Sequence, residues 1–213
     1  MRQSDSKLSR LVVLGATGGT GRAAVDVALR AGHEVTAVVR REGALPPAPG
    51  LTVVLIPDFT EADRLAAAIA GHDAVISALG TTARGPVTVC TVGVRAALLA
   101  MSRTGVRRLV AVSAHGAAES RDRSWYSLLL WASVGHKMRD KESMEALIRA
   151  SGSDWTIVRP PALKDTAPTG RYRTGSDSVV RLTSAVSRAD LADFLVREAV
   201  EPAYLHQTPR ILA

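Results

Sequence analysis

The stretch LVVLGATGGTGRAA, Leu11 to Ala24, carries an apolar, β-branched run into three glycines spaced three apart, Gly15, Gly18 and Gly21, and then into alanine-rich helical sequence. A buried strand that turns at once into a helix needs a tight connection, and glycine supplies it without a Cβ in the way. Free N–H groups and the helix dipole at such a helix start favour negative charge. The loop residues Gly15, Thr17, Gly18, Gly19, Thr20 and Gly21 therefore read as a cradle in which a pyrophosphate approaches bare backbone. A glycine motif alone is a weak signal. Its place between the first strand and the first helix gives it meaning.

Outward from the loop, short β-branched runs alternate with longer alanine-rich ones. Strands are expected at 10–15, 34–40, 51–56, 73–79, 107–113 and 155–161, with a last edge strand at RILA, 210–213. Helices are expected at 20–31, at 60–71 with a cap near Thr60, at 87–104, over a long region ending near 150, and at 187–200 with Ser187 as N-cap. The strands read as unbroken apolar runs, as strands buried on both faces do. Regular strand–helix–strand succession means right-handed crossovers and a parallel sheet. The expected architecture is α/β: a Rossmann-like, doubly wound parallel sheet in a single domain over 10–213. A flexible tail at 1–9 precedes it, and segments 114–135 and 162–186 supply a small substrate-covering region.

Composition narrows the function classes. With 46% hydrophobic but only 4% aromatic residues, the chain of 213 residues builds its core from aliphatic side chains and alanine. It contains no uncharged apolar run of about 18 residues, so no membrane span is expected. The polar start MRQSDSKLSR lacks the apolar middle of a secretory signal. A single cysteine, Cys90, cannot form an internal disulfide and reads as a small buried hydrophobe, which fits a reducing cytoplasm. The net charge of +7 comes without long basic runs or aromatic interleaving, which argues against nucleic acid. The expected partner is a small polyanionic molecule, and the chain is expected to be a monomer or homodimer.

The end of the second strand selects between nicotinamide dinucleotides. Sites for NAD place a carboxylate there, whereas sites for NADP place arginine near the 2′-phosphate. Here the strand ends in VVRRE, so Arg40 and Arg41 arrive before Glu42. Bidentate guanidinium–phosphate pairing is strong and selective, and Arg40 is the better placed. The expected cofactor is NADP(H); the plainer reading of the pair is a solvated basic turn.

Together GATGGTGR, VVRR, PDFT (57–60), VISALG (75–80), VAVSA (110–114), KESMEALIRASGSDWTIVRPP (141–161) and SRADLADFLV span about residues 10–200. This set resembles an atypical short-chain dehydrogenase/reductase. The nearest likeness is to the NAD(P)H-binding flavin reductase and biliverdin-IXβ reductase branch, with its NmrA-like relatives. The resemblance implies that Asp58 and Phe59 flank the adenine, and that Leu79, Gly80 and Thr81 pass along the ribose and pyrophosphate. It also implies that Ser113 faces the nicotinamide region and that Pro160 and Pro161 back the nicotinamide ring.

One position departs from the wider family, in which a tyrosine four residues before a lysine acts as the acid. Lys141 fits the lysine through its K-x-x-x-E spacing to Glu145, but Lys137 stands where the tyrosine would be. Tyr126 has Leu130 at its fourth following position. Alcohol–ketone chemistry is therefore not expected, whereas hydride transfer to an acceptor that takes its proton from water is. Ser113, His115, His136, Lys137 and Lys141 are the candidates for assistance. The two histidines also read as ordinary loop residues, and Lys137 as a surface lysine. The dense apolar segment 124–138, with Trp125, Tyr126 and Trp131, either walls a flat substrate or packs the helix. The function expected is an NADPH-dependent reductase of a planar conjugated acceptor: a flavin, quinone, tetrapyrrole or aromatic natural-product intermediate. The alternative is a non-catalytic NADP(H) sensor of the NmrA-like type.

Overall fold

The computed structural model describes residues 8–83, 85–121, 125–176 and 178–213, so residues 1–7 of the expected tail lie outside the described residues. Six strands, β1 (Arg10–Leu14), β2 (Glu34–Val39), β3 (Leu51–Leu55), β4 (Ala74–Ser77), β5 (Arg108–Val112) and β6 (Asp154–Val158), form one sheet. Their order is β3-β2-β1-β4-β5-β6 and every pairing is parallel. The chain winds outward from β1 in one direction and then restarts beside β1 with β4. Parallel sheets of this kind bind ligands at the strand ends flanking that reversal.

Among the described residues, five α-helices cover the sheet: α1 (Gly19–Arg30), α2 (Ala62–Ile69), α3 (Val89–Thr104), α4 (Trp125–Arg149) and α5 (Arg188–Val200). Alternate residues of each strand serve opposite faces. Val12, Leu14, Val75, Leu109 and Ile157 pack against Leu65, Ile69, Val94, Met101, Met144 and Ile148 from α2, α3 and α4. Leu11, Val13, Ile76, Val110 and Val158 pack against Val25, Ala28, Leu191 and Leu195 from α1 and α5. Each fully buried aliphatic side chain contributes about 1.5–3 kcal/mol, and double-sided burial is why β1, β2 and β4 to β6 lack a polar face; β3, at the sheet edge, departs from the expected burial, with Thr52 and Val53 exposed.

Several expected details shift. The helix expected to be capped near Thr60 begins at Ala62 with Glu61 as N-cap, because the Thr60 amide and hydroxyl bond Asp58 instead. The long helix α4 is interrupted at Val134, whose φ of −135° and ψ of 27° are not helical. The 162–186 segment holds three short strands, β7 (Ala162–Lys164), β8 (Arg173–Gly175) and β9 (Ala185–Ser187). β7 pairs with β9, and the last strand, β10 (Arg210–Leu212), pairs antiparallel with β8. β10 is therefore not a seventh strand of the main sheet, although single bridges link Thr156 to Gln207 and Arg159 to Arg210 along the edge of β6. Ser187 caps α5 as expected, its hydroxyl accepting from the Asp190 amide at 2.9 Å.

Candidate functional site

The glycine loop sits at the reversal point. Gly15 has φ +75°, and a Cβ there would lie 2.7 Å from the Ala78 carbonyl oxygen at the end of β4. A Cβ on Gly21 would collide with the Gly15 carbonyl, so the third glycine brings α1 onto the end of β1. Gly18 differs: it is the N-cap of α1 in an extended conformation, and a Cβ there would meet the Gly15 oxygen at 3.4 Å, an ordinary contact. The cap makes no side-chain hydrogen bond and the first turn carries no acid. The first amides of a helix lack intrahelical partners, so the start of α1 is a positive pole without a carboxylate of its own.

The neighbouring helix start is treated in the opposite way. At α3 the Asp140 carboxylate accepts from the Cys90 and Thr91 amides, both at 2.9 Å. That carboxylate neutralises the α3 terminus, leaving α1 as the anion-seeking end beside the reversal.

A cleft of about 490 Å³ opens over these strand ends. It is lined by Gly15, Thr17, Gly18, Gly19 and Thr20 from the loop, by Arg40 after β2, by Phe59 after β3, and by Leu79, Gly80 and Thr81 after β4. Ser113, Lys141, Leu163 and Arg188 complete its far end. The lining holds three cations, Arg40, Lys141 and Arg188, and no carboxylate among the described residues. Its apolar part, including Val39, Ile56, Phe59, Leu79 and Val89, offers flat surface beside that charge. Such a lining suits an elongated polyanion with an aromatic ring. Arg22 braces the entrance, donating to the Thr17 carbonyl at 3.1 Å and to the Ala44 carbonyl at 3.0 Å.

Twelve of the site residues expected from sequence meet in this cleft; the others do not line it. Gly21 is buried beneath the loop. Arg41 is exposed beyond Arg40. Asp58 is exposed, and hydrogen bonds from the Thr60 hydroxyl and amide hold its carboxyl below the ordinary range. Pro160 and Pro161 are buried, and the Pro160 carbonyl accepts from the His115 amide at 2.8 Å. His115 is buried to 2% exposure and lies off the cleft, as do His136 and Lys137. No described residue of the aromatic segment lines the cleft either: Trp125 is exposed, and Trp131 donates to the Gly116 carbonyl at 3.0 Å beneath the Arg121 guanidinium.

Two of the catalytic candidates are already engaged. Lys141 Nζ donates to the Leu79 carbonyl at 3.0 Å and the Val112 carbonyl at 2.6 Å, tying the ends of β4 and β5 together at the cleft wall. The Ser113 hydroxyl donates to Glu145 Oε1. Cys90 lies against the same wall, with Sγ 3.3 Å from the Leu79 carbonyl, and burial pushes its thiol up in pKa, so it acts as a small hydrophobe.

Sequence reasoning missed Arg188. It lies inside the SRADLADFLV block, but its distance in sequence from the glycine loop hides the contact that the packing of α5 along α1 creates.

Comparison with known proteins agrees with this geometry. Residues 15–202 match the family model described as NAD(P)H-binding, and the chain belongs to that family. An uncharacterized chloroplastic protein of Arabidopsis thaliana is 33% identical over 77% of this chain, which spans 62% of that protein's length. Among solved structures, the anaerobilin reductase ChuY of Escherichia coli O157:H7 has a TM-score of 0.80 at 25% identity, covering 95% of this chain and 96% of its own. The oxidoreductase ylbE of Lactococcus lactis has a TM-score of 0.81 at 16% identity, covering 95% and 90% of the two chains, and shares the fold. The molecule has an NAD(P)H-binding, reductase-like Rossmann fold, and among the described residues no helix is long and apolar enough to cross a membrane.

Proposed function

We propose that the chain is an NADPH-dependent reductase of a planar conjugated acceptor. The observation that carries this reading is one continuous cleft joining Arg40, the glycine loop and the Ser113–Lys141 wall. In it Arg40 takes the 2′-phosphate, Phe59 lies against the adenine, the loop amides hold the pyrophosphate, and Ser113 borders the nicotinamide. Pro160 and Pro161 shape the nicotinamide end from behind rather than touching the cleft. When bound, the reduced nicotinamide supplies the hydride. The chain's part is to position the two rings, with Lys141 keeping the strand ends in register and Leu163 excluding water from the mouth.

Among the described residues, the cleft lining holds no tyrosine or carboxylic acid to act as a proton donor. Lys137 replaces the tyrosine of the wider family, and the Ser113 proton is committed to Glu145. An acceptor that spreads incoming charge over a conjugated system therefore suits the site, and the likeness to an anaerobilin reductase supports a tetrapyrrole as one such acceptor. Buried Cys90 fits a reducing compartment, the cytoplasm. The same lack of an acid favours one other reading, a dinucleotide sensor without turnover. NADPH oxidation measured against flavins, quinones, linear tetrapyrroles and simple ketones decides. Turnover with a conjugated acceptor supports the reductase. Tight NADPH binding without oxidation by any of them supports the sensor.

A further inference from the structure

We propose that Arg188 is the side-chain clamp on the dinucleotide's diphosphate, and that Asp165 is the counter-ion it gives up when the dinucleotide binds. The inference rests on the reading of the cleft as a dinucleotide site and adds to it a residue, and an ion exchange, that the glycine motif does not contain.

Arg188 is the first residue of α5, directly after the Ser187 cap. Its side chain crosses the start of α1. A Cβ on Gly19 would lie 2.8 Å from Arg188 Cδ and 2.9 Å from Nε, so the absence of a side chain at 19 makes room for the guanidinium stem. The side chain is 29% exposed and lines the cleft beside the glycine loop. Its ion-pair partner is Asp165, with Nη1 2.7 Å from Oδ1, and the Asp165 side chain is 82% exposed. A pair to so exposed a carboxylate contributes little and exchanges readily.

A diphosphate at the α1 terminus offers more. It presents several anionic oxygens to a planar fork of donors, the geometry in which arginine excels. The α1 amides and the guanidinium then hold the anion from two sides. Asp165 follows β7, whose Leu163 lines the same cleft, so the exchange links dinucleotide binding to the chain segment at the cleft mouth. That segment stays anchored farther on, where the Thr169 and Gly170 amides donate to the Asp190 carboxylate.

The diphosphate is common to both dinucleotides, so Arg188→Gln should weaken NADPH and NADH alike, each by about 10- to 150-fold. Arg188→Lys, which keeps the charge but loses the fork, should fall between. Asp165→Asn removes the competing carboxylate and should tighten both dinucleotides by about 1.5- to 5-fold. In the Arg188→Gln background the same change should have no effect. Calorimetric titration of NADPH and NADH, with circular dichroism to confirm folding, reads all of these. A wild type that binds neither dinucleotide overturns the site and this inference with it. A wild type that binds, beside a folded Arg188→Gln variant of unchanged affinity, overturns the clamp alone and leaves Arg188–Asp165 a structural pair.

Discussion

The Ser113 hydroxyl at the cleft wall donates to Glu145 Oε1 at 2.5 Å, and Glu145 is 1% exposed. The hydroxyl is thus the cleft-side end of an ionic chain that runs from buried Glu145 out to half-exposed Glu119. Arg159 reaches both Glu145 oxygens and both Glu119 oxygens, and Arg149 closes the chain by donating to the same two carboxylates. A carboxylate buried this deeply is tolerable only because a guanidinium and a hydroxyl satisfy it. Ser113 is therefore held in one orientation by Glu145, which makes Glu145 a positioning residue.

The network should make the fold acid-sensitive. Burial pushes the Glu119 carboxyl up, but hydrogen bonds from Arg159 and Arg149 outweigh it and leave the pKa at about 2 against an ordinary 4.5. A folded pKa below the unfolded one gives stability that is complete above pH 4.5 and is lost as pH falls towards 2. Glu119→Gln should flatten the acid limb of urea-unfolding stability by less than one proton's worth of slope, since half-exposed Glu119 is screened. Asp154, held down by Arg107, contributes to the same limb, so the limb should persist in part. An unchanged slope in Glu119→Gln would show that the pairing is not made in solution.

Arg40 should set the choice of dinucleotide. It lines the cleft at the end of β2 and is exposed, so its guanidinium is available to the 2′-phosphate. A charge-assisted pair contributes about 1.5–3 kcal/mol, or roughly 10- to 150-fold in affinity. NADPH should bind tighter than NADH by that order, and Arg40→Ala should erase the difference while leaving NADH binding unchanged. Equal dissociation constants in the wild type would refute the assignment.

The glycines should separate into two kinds. Gly18 is in an extended conformation with space for a Cβ, so Gly18→Val should fold and fail to bind dinucleotide, because the branched side chain fills the phosphate's approach. A Cβ at Gly21 collides with the Gly15 carbonyl, so Gly21→Val should instead lose about 1–3 kcal/mol or more of stability by forcing α1 from β1. Thermal melts with a cofactor titration distinguish the two. A Gly18→Val variant that binds NADPH normally would misplace the phosphate.

The parts of the molecule legible from sequence were those governed by local pattern. β1 to β6 are apolar runs long enough to show strands, although β3 lies partly exposed at the sheet edge, and the loop between β1 and α1 carries the pattern of a phosphate cradle in its own glycines. Strands β7, β8 and β9 were not legible, since three residues show no periodicity and their partners lie far along the chain. Arg188 was hidden for a related reason: helix packing, not spacing, carries it to Gly19. The aromatic segment of α4 left two readings open, a substrate wall or helix packing, because density in sequence says nothing about which surface a helix face meets. Glu145 and Arg159 lie within one sequence block, yet only the fold shows that they share a hydrogen-bond network with Ser113.

The chemistry of the cleft should favour acceptors that need no strong acid. A simple ketone gathers negative charge on one oxygen as it accepts hydride and depends on a donor at that atom. General acid catalysis contributes about 10²–10⁴-fold, and neither Ser113, bound to Glu145, nor Lys141, bound to two carbonyls, is free to supply it unaltered. A flavin or quinone delocalises the charge and can be protonated by water. The rate with NADPH should therefore be higher for a flavin or quinone than for a simple ketone by about that same factor. Ser113→Ala should reduce turnover without abolishing it, because ring positioning by the cleft remains. Glu145→Gln should reproduce the effect in kcat more than in KM if it acts by holding Ser113. Steady-state rates with one flavin and one ketone, in the wild type and both variants, test the set. A wild type that reduces the ketone as fast as the flavin would mean that an acid is present and that Ser113 leaves Glu145 to provide it.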